Sequence, residues 1–156
     1  MGRGPIALIA AMLAVAMFVA GCGGSDDSSS SDATISKEAF IAKADAICKK
    51  GTERMQKAIF VVLKDGRSLT KLNQAEQEKI VATVIVPSVK REVKELRALG
   101  IPDGDDERAD AMISALEEGV ETAESNPKAV TSSSDVVFGI ASRLAAEYGL
   151  EACGSR

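Results

Sequence analysis

The chain has 156 residues, with 19 Lys and Arg against 23 Asp and Glu, a formal charge of −4 and no His. That acidic balance argues against nucleic acid, which calls for clustered Lys and Arg, and against an electrostatic grip on anionic lipid head groups. The lack of His removes Ser-His-Asp and Cys-His arrangements and the commonest metal ligand. The length fits one domain. No G-x-S-x-G, Walker or dinucleotide motif is present.

The first element is an unbroken apolar run, IALIAAMLAVAMFVA, from Ile6 to Ala20. As a helix it would reach about 22 Å at ~1.5 Å per residue, short of a bilayer core of about 30 Å. A cationic start, an apolar middle and small residues at the end are the parts of a secretory signal. The end of the run, Val19-Ala20-Gly21-Cys22, resembles the lipobox of bacterial lipoproteins. The resemblance implies that residues 1–21 are a cleaved signal peptide. It also implies that Cys22 becomes the N-terminus, carrying diacylglyceryl and palmitate-type chains. Two or more acyl chains anchor a protein stably without a spanning helix.

Residues 22–34 then form a tether. Gly23 to Thr34 is Ser, Gly and Asp with Ala33 as its one apolar residue, too little apolar surface to fold. The remaining 35–156 are expected to be a single helical domain. Cys22 is used by lipid, which leaves Cys48 and Cys153. In an exported protein these read as a structural disulfide. Buried free thiols or a redox pair are the alternatives, but redox pairs usually lie close as C-x-x-C.

Four helices are predicted. The first starts after Ser36 as N-cap, with Ile35 and Phe40 placed as a hydrophobic staple. It carries Phe40, Ala44, Ile47, Cys48, Met55, Ile59 and Val62 along one face and ends at Asp65-Gly66. The second begins at Asn73, with Glu76 completing a capping-box pattern. Its β-branched run Ile80–Val86 could be a strand, yet the flanks EQEK and KREVKELRAL are strong helix formers. Pro87 should bend or break it, and Gly100 and Pro102 stop it. The third opens at Pro102-Asp103-Gly104, shows Ala109, Ile113, Leu116, Val120 and Ala123 at helical spacing, and ends at Asn126-Pro127. The fourth starts at Ser134 or a neighbouring Ser, with Val137, Ala141, Leu144 and Tyr148 as its stripe. Gly149 and Leu150 would close it in a Schellman motif. Short connections suggest an antiparallel, up-down-up-down four-helix bundle, with Cys153 returning to the mid-height of the first helix at Cys48.

The segments ISKEAFIAKADAIC, PSVKRE, GIPDGDDE and LAAEYGLEACGS together resemble a group of small actinobacterial lipoproteins. The resemblance covers nearly all of the domain. It implies a helical fold held by one Cys near its start and one near its end, which match Cys48 and Cys153. It carries no catalytic residues with it.

Two charged clusters remain. Asp103, Asp105, Asp106, Glu107 and Asp110 could suggest Ca²⁺. The EF-hand pattern fails, with Arg108 where its Gly belongs and Ser114 at its twelfth position. A solvated helix start fits better, and no metal or cofactor is expected. Lys90, Arg91, Lys94 and Arg97, interleaved with Glu92 and Glu95, read as an exposed face of intrahelical pairs. The expected function is a non-enzymatic, membrane-anchored envelope lipoprotein, held extracytoplasmically by Cys22 and binding an envelope protein as partner or scaffold. The alternative is a carrier of a small apolar ligand between helices. No nucleic acid partner is expected.

Overall fold

A computed structural model describes residues 35–63 and 66–155. The apolar leader, Cys22 and the tether lie outside the described residues. Every regular element among the described residues is helical, as expected for an all-α domain.

Helix α1, Lys37–Val62, begins where Ser36 leaves helical geometry and its Oγ accepts from the Ala39 amide. That supplies one of the partners a helix start lacks. Ile35 packs into the cluster around Phe40, as a staple should. Phe40, Ala44, Cys48 and Gly51 are buried on one face. The last turn departs from the predicted stripe at Val62, which is exposed like its neighbours Phe60 and Val61.

A 3₁₀ turn, Leu69–Lys71, leads to α2, Gln74–Ile80. Here the capping box is complete. The Glu76 amide donates to Asn73 Oδ1 at 3.0 Å, and the Asn73 amide donates to Glu76 Oε2 at 2.9 Å. A π turn, Val81–Ile85, then joins α2 to α3, Val86–Arg97. Pro87 neither stops the helix nor forces the chain out of it: Ile85 and Val86 keep right-handed helical dihedrals. Pro87 has no N–H, and its ring would press on the carbonyl four residues back. The wider turn, closed by the Val86 amide on the Val81 carbonyl, takes up that misfit. Ser88 Oγ donates to the Val84 carbonyl at 2.6 Å in the same turn.

Helix α4, Asp106–Ser125, starts later than Pro102, with Asp106 and Glu107 in its first turn. Asn126 ends it, but Pro127 immediately opens α5, Pro127–Ser132, an element absent from the sequence-based expectation. Proline at the first helical position costs no hydrogen bond and presets φ. Helix α6, Ser134–Tyr148, has Ser133 in the cap position without a side-chain cap bond. Its far end is the expected Schellman motif. Gly149 is left-handed at φ 103°, Leu150 donates to Ala145 at 2.9 Å, and Gly149 donates to Ala146 at 3.1 Å. Leu150 is then buried.

Cys153 sits in a further short helix, α7, Glu151–Gly154. Its start is supplied from across the fold: Asp45 on α1 accepts from the Glu151 amide at 3.0 Å and the Ala152 amide at 2.9 Å. This brings Cys153 to Cys48, and the two are joined as a disulfide with Cα atoms 5.3 Å apart.

The largest core cluster gathers Phe40, Cys48, Leu96, Ile113, Tyr148 and Leu150. Within it Phe40 and Tyr148 meet edge-to-face at 5.8 Å, a favoured aromatic geometry. A second cluster joins Val86 and Val89 to Val120, Ala123 and Val130. A third seals α2 against the end of α1 through Leu72, Ile80 and Val84.

Several charged side chains tie neighbouring helices together. Arg54 reaches Glu95 at 3.0 Å, and Lys90 reaches Glu124 at 2.6 Å. Arg97 meets Glu117 through Nε at 3.0 Å and a terminal nitrogen at 2.8 Å, and also contacts Asp110 and Ser114. Lys90 and Arg97, read in the sequence as part of an intrahelical set of pairs, therefore reach across to α4. Glu92, within that run, is buried at 2 % exposure.

Candidate functional site

The helices do not close fully on one another. An apolar cavity of about 230 Å³ lies between α1, α3, α4 and α6. Its wall sets small side chains such as Ala141 and Ala145 among larger ones such as Ile113 and Leu96. Small residues leave room that no neighbour fills. For scale, an engineered cavity of about 150 Å³ takes up benzene.

The Cys48–Cys153 disulfide forms one end of the cavity. Ser134 and Asp135, at the start of α6, are the exposed residues of its lining. Met55 and Met112 contribute thioethers to the wall, and Met adapts its shape to an irregular occupant. Polar groups on the wall are few, chiefly Ser134, Asp135 and Ser142. An apolar interior with a few polar groups is the usual build of a small-molecule site.

Behind the disulfide lies the buried carboxyl of Glu92, with Oε1 3.7 Å from Cys48 Sγ. The disulfide sulfur carries no proton to donate, so this is a packing contact. Gly51 on α1 gives the carboxyl its space, because a Cβ there would collide with Glu92 Oε2.

In the same cluster as the disulfide, Tyr148 is flanked by Lys37 Nζ, 4.9 Å from the ring centroid, and the Arg108 guanidinium, 5.6 Å away. Both are at cation–π distance. Burial pushes the Tyr148 hydroxyl's pKa up. Among the described residues that hydroxyl has no hydrogen-bond partner.

The acidic cluster does not converge. Asp105 pairs with Lys37 at 2.7 Å, and Asp110 turns to Arg97. Among the described residues no three carboxylate or thiol groups come together to hold a metal. No described helix is long and apolar enough to cross a membrane.

Of the predicted site residues, Cys48 and Cys153 are brought together and Cys22 lies outside the described residues. In the sequence the cavity is anticipated only as room between helices for a small apolar ligand. Its exposed lining is built from the start of α6, where the sequence offered only a serine-rich helix start.

The geometry defines an all-helical, disulfide-closed domain with an internal apolar site. No known family model matches the chain, and no curated protein or solved structure matches it either.

Proposed function

We propose that this protein is a membrane-anchored envelope lipoprotein whose helical domain carries a small apolar molecule in its central cavity. The observation that carries the reading is the cavity of about 230 Å³ with its almost wholly apolar wall. The anchor rests on the lipobox-like Val19–Cys22 and on the resemblance to small actinobacterial lipoproteins. The scaffold role expected from sequence has no comparable observation behind it, so the carrier takes precedence.

The domain is read as an antiparallel four-helix bundle of α1, the α2–α3 rod, α4 and α6. The order of the cross-links supports this. Going up α3 from Lys90 to Arg97, the partners on α4 descend from Glu124 to Glu117 and Asp110. Arg108 near the start of α4 donates to the Glu147 carbonyl near the end of α6.

Native mass spectrometry of the protein extracted mildly from its own membranes tests the carrier. A releasable small apolar adduct is expected. Bare polypeptide, together with no rise in melting temperature on adding hydrocarbon probes, would remove the carrier reading.

A further inference from the structure

We propose that the cavity accepts a single unbranched hydrocarbon chain with an uncharged or cationic head, and discriminates against carboxylate heads at Asp135. This rests on the reading of the cavity as a binding site.

The shape argues for the chain. The wall runs from Cys48 to Ile59 on α1 and from Asp135 to Ala145 on α6. Each stretch spans about 15–17 Å at ~1.5 Å per residue. A volume of about 230 Å³ drawn out over that length suits an extended chain better than a near-spherical cage. The closed end, at the disulfide, is apolar, so the chain's methyl terminus belongs there. The head group is left at Ser134 and Asp135, the exposed part of the wall.

The charge at that end argues for the head. Among the lining residues there is no Lys or Arg, and Asp135 is the one charged group. The start of α6 contributes the positive end of a helix dipole, equivalent to roughly half an elementary charge. Asp135 in that first turn brings a full negative charge, so the entrance is net negative. An ammonium or hydroxyl head can donate to Asp135, whereas a carboxylate head meets repulsion. Val136 and Ile140 stand exposed one step around α6, and Val62 stands exposed one turn beyond Ile59 on α1. They give an incoming chain apolar surface beside the entrance.

The test is displacement of fluorescent N-phenyl-1-naphthylamine from the full chain by decylamine, decanol, decanoate and adamantylamine, each below its critical micelle concentration. Decylamine and decanol are expected to displace the dye at concentrations about fivefold or more below those of decanoate, the scale of one partly exposed charge contact. Adamantylamine should displace it poorly. Asp135→Lys, at an exposed position that should not disturb folding, should reverse the order of decylamine and decanoate and leave decanol unchanged. Ala141→Phe, if still helical by circular dichroism, should abolish dye uptake by filling the cavity.

Equal displacement by decanoate and decylamine, or an order that Asp135→Lys does not move, overturns the head-group inference and leaves the carrier standing. Displacement by adamantylamine as good as by decylamine overturns the single-chain inference. A chain that takes up no dye and no decyl probe overturns both the inference and the carrier.

Discussion

Gly51 of α1 lies directly against the buried carboxyl of Glu92 on α3, so that any Cβ at position 51 would occupy the place of Glu92 Oε2. A glycine in mid-helix is otherwise a liability of about 1 kcal/mol relative to alanine. Here the placement of the Glu92 carboxyl depends on it. Gly51→Ala should therefore destabilise the domain despite better helix propensity, by a net of about 1 kcal/mol once the cost of overpacking, about 1–3 kcal/mol, is set against it. Chemical denaturation would show it. A double-mutant cycle with Glu92→Ala should give a coupling that relieves the Gly51→Ala defect. A more stable Gly51→Ala would contradict this account.

Removing the disulfide should cost more. Cys48 and Cys153 are 105 residues apart, and closing a loop of about 100 residues is worth up to ~4.7 kcal/mol in the chain-entropy model, with 2–4 kcal/mol typical in practice. The Cys48→Ala, Cys153→Ala double variant should lose that much in urea. Reductant should lower the midpoint of the wild type and leave the double variant unmoved.

Arg97 bridges Glu117, Asp110 and Ser114. Its guanidinium holds the Glu117 carboxyl below its ordinary value of 4.5, and Glu117 raises Arg97 further into its charged form. A carboxylate lowered in the folded state stabilises above its unfolded pKa and loses that contribution as pH falls through the folded one. Arg97→Met should cost about 1 kcal/mol or less at neutral pH, since both partners are about a third exposed or more and solvent screens them. The difference between variant and wild type should shrink below pH 4.5. A difference independent of pH would mean that Arg97 acts through packing alone.

The Tyr148 hydroxyl makes the opposite prediction. Its ring is well placed against Phe40, but the buried oxygen has no partner among the described residues. A buried polar group without a hydrogen bond costs about 1–3 kcal/mol. Tyr148→Phe keeps the ring and should leave stability unchanged or raise it by up to about 1 kcal/mol. A clear loss in melting temperature would show that the hydroxyl is satisfied by ordered water.

For the proposed anchor, Cys22→Ser should abolish acylation, and the protein should remain as an unprocessed precursor or leave the membrane fraction. Intact-mass analysis would show the loss of the diacylglyceryl group. Unchanged mass and partitioning in the variant would rule the anchor out.

Much of the local architecture was legible because it is written within a few residues. Ser36, the Asn73–Glu76 box and the Gly149–Leu150 close are side-chain or backbone solutions to helix ends, and each is complete inside one short window. The helical reading of Ile80–Val86 held for a similar reason, since its flanks outweighed its β-branching. What escaped notice depends on partners far away in sequence. Asp45 looks like any exposed acid of α1 until α7 arrives to be capped by it. Glu92 is indistinguishable in sequence from its half-exposed neighbour Glu95, and the gap at Gly51 gives it room to turn inward. The π turn and α5 escaped because proline is read as a terminator, while here one is absorbed by a wider turn and the other starts a helix. The cavity is the hardest to foresee, being what is left over when several faces pack.

The Cys48–Cys153 link ties α7 to α1 independently of the amide contacts at Asp45. Both cysteines also line the cavity, so reduction would alter the wall of the proposed carrier site as well as the stability of the domain. Under the proposed export, that bond forms in the oxidising compartment, and the finished site would be a product of arrival there.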